Sequence, residues 1–274
     1  MGDQQRHDVA RQLAAYERTI DEALAAYDRT VEDFPQDAFA RNGRAETLRA
    51  MGRLDEALAA YDRTVEDFPQ NAVARTGYAV VLGELGRFDE ARETLKDVEL
   101  NPRTSQDWVA VHILCMIDSK EGTTNALAQR LERFAVQCPF PAQRLYFETT
   151  LAVVRIALRR TLEARRDLKA IAARPGLVPE ERAAMTLMEA HAEAADGDLN
   201  AARQTLAAVS NVIPFEHFRL RRLKQEIERH FGVGSVPAPT RADEVAASEK
   251  KLIRLEMDFW FDRTTEASAM RRAA

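Results

Sequence analysis

With 274 residues and 46% hydrophobic side chains the chain can bury a sizeable core, and its 11 glycines and 10 prolines are too few for a collagenous or generally disordered polypeptide. Its formal net charge is −5, and its two cysteines, Cys115 and Cys138, lack Cys-x-x-Cys spacing, which excludes a disulfide framework and a zinc ribbon. The opening residues contain no apolar signal segment, and no run approaches the roughly 18 apolar residues that span a bilayer, so a cytoplasmic protein that does not engage a membrane is expected. Only 6 of the 39 basic residues are lysine, an arginine bias common in GC-rich bacterial genomes.

The charge is uneven. Residues 1–100 carry 13 Lys+Arg against 21 Asp+Glu, a net of −8, and the remainder carries 26 against 23, a net of +3. The acidic part is a repeat: residues 20–53 and 54–87 align without a gap over 34 positions, with 24 identities. A period of this length marks stacked helical hairpins. Ala23, Leu24, Tyr27, Val31 and Phe34, then Ala57, Leu58, Tyr61, Val65 and Phe68, recur at the spacing of one helical face. Asp21-Glu22 and Asp55-Glu56 place negative charge at a helix start, Pro35 and Pro69 end that helix, and Gly52 and Gly86 close the next one with a residue free to turn left-handed. The identity extends to Asp28, Arg29, Glu32, Asp33 and their copies at 62, 63, 66 and 67, expected to be exposed where packing makes no demand; recent duplication accounts for it.

These features resemble the tetratricopeptide repeat family: the period, the small Ala57 and Ala91, the aromatic Tyr27 and Tyr61, the closing Pro35 and Pro69, and the Gly-Arg-Leu/Phe-Asp-Glu-Ala junction. The resemblance covers about residues 4–105, with units starting at 4, 38 and 72; Arg11 stands where the family has a small residue, and the early tryptophan is absent. It implies an all-α, right-handed α-solenoid of about five to six helix hairpins plus a C-terminal helix, whose concave groove, lined by first helices, binds protein partners. By this alignment the groove residues are Gln12, Tyr16, Phe39, Asn42, Glu46, Arg49, Thr76, Val80 and Glu84, suited to an extended or helical segment offering basic and apolar groups to Glu46 and Glu84. The positions with which some relatives clamp a chaperone's C-terminal carboxylate hold Asp8, Gln12, Gly43, Val73 and Gly77, so no basic clamp is expected.

Further along, Glu163-Ala164-Arg165 echoes Glu90-Ala91-Arg92, and helix pairs are predicted near 104–119/124–137, 141–159/163–173 and 179–195/200–209, with a further helix at 214–231. The solenoid thus spans 1–232, with clear repeats over 4–105 and degenerate ones over 106–232, before a Gly/Pro linker at 233–242 and a C-terminal amphipathic helix at 243–274. On that helix Leu252, Leu255 and Phe259 form one stripe, and Ile253, Met257 and Trp260, followed by Phe261, an adjoining one. It either packs back on the solenoid as a cap or groove filler, or acts as a partner-binding or self-association element.

Catalytic chemistry is not legible. His7, His112, His191, His217 and His230 are scattered without metal-ligand spacing, and Asp196, Asp198 and Asn200 imitate an EF-hand opening that lacks its glycine and closing glutamate. No catalytic residue, metal or cofactor is expected. The cluster Arg155, Arg159, Arg160, Arg165, Arg166 and Lys169, followed by Arg219, Arg221, Arg222 and Lys224, makes nucleic-acid binding the alternative to a protein-interaction scaffold, adaptor or regulatory subunit.

Overall fold

The computed structural model describes residues 3–270 except 123, 211–212, 214–216 and 236, with side chains described at all of these but 3–17, 218, 258 and 261–270. Every regular element among the described residues is an α-helix, and the helices form two compact units, Met1–Ile117 and Asp118–Ala274.

The first unit contains α1 (Asp3–Asp33), α2 (Ala38–Ala50), α3 (Leu54–Asp67), α4 (Ala72–Glu84), α5 (Phe88–Leu100) and most of α6 (Ser105–Glu121). Each of the first four helices packs on the next, and α2 also touches α4, the pattern of hairpins stacked in register. Alanines make the close approaches possible: Ala40, Ala45, Ala57, Ala74, Ala79 and Ala91 are all buried. The core between them is Leu24, Leu48, Tyr61 and Val81, flanked by Leu54, Leu58 and Tyr78.

One expectation fails here. A unit starting at residue 4 implies a first hairpin, yet α1 runs unbroken from Asp3 to Asp33. The cause is local. After α2 and α4 the chain turns at Gly52 and Gly86, with φ of 74° and 77°. Gly52 N–H and Arg53 N–H then bond to the carbonyls of Arg49 and Leu48, as Gly86 and Arg87 do to Gly83 and Leu82. The equivalent position one period before Gly52 is Arg18, which carries a Cβ and continues the helix.

The second unit contains α7 (Asn125–Gln137), α8 (Pro141–Ala157), α9 (Thr161–Ala172), α10 (Pro179–Ala195), α11 (Leu199–Ser210), α12 (Phe218–Phe231) and α13 (Ala242–Met270). The pairs α8/α9 and α10/α11 are hairpins, and α8, α10 and α12 lie side by side. Outer helices bury a single stripe, such as Ala202, Leu206 and Val209 of α11, whereas α8 and α10 are buried on nearly every side. The hairpin turns repeat the same hydrogen bonds at Gly197 and, without glycine, at Arg159, whose φ is 59°.

The candidate partner-binding faces

The front face is built on first helices. Asp37 caps α2 by accepting from Phe39 N–H at 2.8 Å, and 34 residues later Asn71 caps α4 by accepting from Ala74 N–H at 3.0 Å. These caps fix the entry angle of each helix and place Phe39 and its counterpart Val73 in water, 67% and 37% exposed. Asn42 is buried; its Nδ2 donates to Asn71 Oδ1 at 3.4 Å, while its Oδ1 has no hydrogen-bond partner among the described residues. Thr76 and Val80 are half-buried on α4. Gln12, Tyr16 and Phe261 lie outside the residues whose side chains are described.

Glu46, Arg49 and Glu84, separate in sequence, form one network. The Arg49 guanidinium grips Glu46 with two bonds of 2.9 and 2.5 Å and donates to Glu84 at 2.7 Å. The Tyr61 hydroxyl donates to Glu46 at 3.2 Å. Burial works against the charge on Arg49, but the two carboxylates outweigh it and raise the pKa; burial, with Glu46 beside it, pushes the Tyr61 hydroxyl up. Both carboxylates, anticipated as acceptors for a partner's cations, are therefore already engaged, and the triad presents one net negative charge.

Gly43 and Gly77, at two of the clamp positions, serve packing. A Cβ at Gly43 would stand 2.4 Å from the Tyr27 ring, and one at Gly77 would stand 2.3 Å from the Tyr61 ring. The duplicated acidic residues are likewise less idle than expected. Asp28 pairs with Arg44 at 2.5 Å, Asp62 engages Tyr78, the counterpart of Arg44 one repeat on, and Asp67 pairs with Arg41. Packing between repeats thus uses part of the identity ascribed to duplication alone.

In the second unit α13 packs against α8 and α12, and its side chains also reach α10. Leu252, Met257, Phe259 and Trp260 are buried and Leu255 half-buried. Trp260 Nε1 donates toward Met188 Sδ at 3.4 Å, and the fully buried Glu256 meets His191 Nδ1 at 2.8 Å. Glu256 Oε2 has no hydrogen-bond partner among the described residues. Lys251 reaches Glu226 of α12 at 2.5 Å, and Arg159, from the α8–α9 turn, reaches Glu249 at 3.3 Å.

Sequence reasoning missed His191, Met188 and the role of Arg159. The signal for the last was present: aligning Arg159-Arg160-Thr-Leu-Glu-Ala with Gly86-Arg-Phe-Asp-Glu-Ala puts Arg159 on the glycine of the turn. In both turns the second arginine forks onto the glutamate three residues on, Arg160 to Glu163 and Arg87 to Glu90, and holds that carboxyl below its usual range.

Of the arginines that suggested nucleic acid, Arg155, Arg159, Arg160 and Arg165 are turned to internal use. Arg155 pairs with Asp167, Glu132 and Glu163, and Arg165 pairs with Glu193. Asp198 caps α11 through Ala201 N–H, and Asp196 accepts from the Thr161 hydroxyl, so the EF-hand imitation is turn chemistry. Among the described residues no group of three or more His, Cys, Asp or Glu is placed to hold a metal, and no helix is long and apolar enough to cross a membrane.

An all-α array of consecutive hairpins with small residues at the crossings is an α-helical solenoid. Residues 12–72 and 48–112 each match the tetratricopeptide repeat, so the front of the chain carries tetratricopeptide repeats. No curated protein matches the sequence. Similar solved structures include PilW, described as a widely conserved type IV pilus biogenesis factor (TM-score 0.58, 20% identity, 78% of this chain and 96% of that one). A tetratricopeptide repeat protein from Parabacteroides merdae is also similar (TM-score 0.57, 12% identity, 79% of each chain), as is a thermophilic repeat protein of the same kind from Thermus thermophilus (TM-score 0.52, 19% identity, 69% of this chain and 98% of that one). At these identities the likeness is one of fold.

Proposed function

We propose that this protein is an adaptor or regulatory subunit that holds a segment of a protein partner on the α2/α4 face of its front repeats. Proteins of this repeat are in general non-catalytic scaffolds for protein contacts. The observation that carries the reading is Phe39, an aromatic side chain left in water by a well-capped helix, with Val73 in the same place one repeat later. Large apolar groups fixed at a regular interval beside polar ones are how repeat surfaces anchor an extended chain. The neighbouring Glu46–Arg49–Glu84 triad, net negative, favours a segment with apolar residues and a single flanking cation.

The test is capture by the full chain, comparing wild type with a Phe39→Ser/Val73→Ser variant whose circular dichroism and melting are unchanged. Loss of one captured protein in the variant supports the reading. Capture that is indifferent to these residues sinks it.

A further inference from the structure

We infer that the face of the second unit formed by α8, α10 and α12 is a separate helix-binding site held shut by α13. The occupant it takes in trans is an amphipathic helix bearing a carboxylate and, four residues later, an indole. The chemistry is read from the cis occupant. His191 and Met188, three residues apart on α10, lie on one helical face, and they meet Glu256 and Trp260, which are four apart on α13. A buried imidazole that awaits a carboxylate, beside a thioether that accepts an indole N–H, recognises that pair of side chains and rejects a helix lacking either.

Three observations set α13 apart from a permanent core helix. It is joined to α12 by residues 232–241, which include Gly232, Gly234, Pro237 and Pro239, so it can leave without unwinding another helix. Glu256 is 0% exposed, yet its Oε2 has no hydrogen-bond partner among the described residues, a penalty of the docked state that water removes on release. Arg159 sits at a left-handed φ of 59° where the corresponding turns use glycine, and its guanidinium reaches Glu249 of α13. A backbone outlier with a side chain that fastens a neighbouring element points to a latch. The Arg159–Glu249 and Lys251–Glu226 contacts are partly exposed and therefore weakened by salt.

The experiment uses full-length protein and a labelled synthetic peptide of residues 242–260 as the helix in trans. In fluorescence anisotropy the wild-type chain is expected to bind this peptide weakly. A chain whose own plug is weakened by Leu252→Ser/Trp260→Ser should bind it at least tenfold more tightly. Peptides carrying Glu256→Lys or Trp260→Ala should lose that gain. Equal binding by both chains, with α8 and α10 still protected from hydrogen exchange, overturns the inference. Where the double variant fails to fold, hydrogen exchange of the wild type decides: α13 amides exchanging at least tenfold faster than those of α8 and α10 support a releasable plug, and joint exchange overturns it. A dimer of the weakened chain that excess peptide dissolves would assign the face to a second copy, and the inference in its present form would fall.

Discussion

Gly77 and Gly52 are both glycines, but for different reasons, and substitution separates them. Alanine at 77 would drive a Cβ into the Tyr61 ring at 2.3 Å, so Gly77→Ala should cost about 1–3 kcal/mol in urea unfolding, the range of overpacked cores. Alanine at 52 meets open space but must adopt φ 74°, which costs about 1 kcal/mol. His112 contributes to the pH dependence. It is fully buried in α6, and burial lowers its pKa to about 3, so an unfolded chain takes up its proton first as pH falls. Its contribution is complete above about pH 6.5 and declines below that, by roughly 1 kcal/mol over the first pH unit. His112→Leu should therefore flatten the loss of stability between pH 7 and 5 relative to wild type; an unchanged slope would contradict the assignment. At this scale the sequence was partly legible. The repeated Asp28 and Asp62 were visible as identities, but their partners Arg44 and Tyr78 differ in type and become equivalent only once the next helix is packed.

Among the elements, helix boundaries followed from punctuation. Pro141 and Pro179 start α8 and α10, and Gly86 and Gly197 mark the turns that follow α4 and α10. The misread element is α1, where family resemblance implied a turn that Arg18 does not supply. Arg159 shows the converse, a turn made without its glycine because α9 and the hairpin contacts over-determine it. Arg159→Gly should relieve left-handed strain and stabilise the second unit by about 0.5–1 kcal/mol in denaturant, since the Glu249 pair it loses is partly exposed and fastens α13 by less than the strain costs. Asp37→Ala and Asn71→Ala each remove an N-cap and should cost about 1 kcal/mol apiece. Because the two caps sit on separate helices, the pair should be close to additive; the Asn42–Asn71 contact adds a small further loss to the second.

For the molecule as a whole, the repeat class was readable from two nearly identical copies, whereas the sites were readable only as positions. Phe39 and Val73 could be placed on first helices by counting from the repeat start, and they are exposed there. That Arg49 would close onto both Glu46 and Glu84 could not be counted, because it depends on the register between neighbouring hairpins. The destination of the tail was equally hidden: a Leu/Phe/Trp stripe says that a helix must dock, and only the buried His191–Glu256 contact says where. The central claim is that partners are held by first helices of the front repeats. The most direct test places a photo-crosslinking amino acid at Thr76 on α4 and, in a separate protein, at the exposed Glu66 on α3. Crosslinking of a single protein from position 76 and none from 66 is the predicted result; equal labelling from both positions, or labelling from 66 alone, would contradict the account.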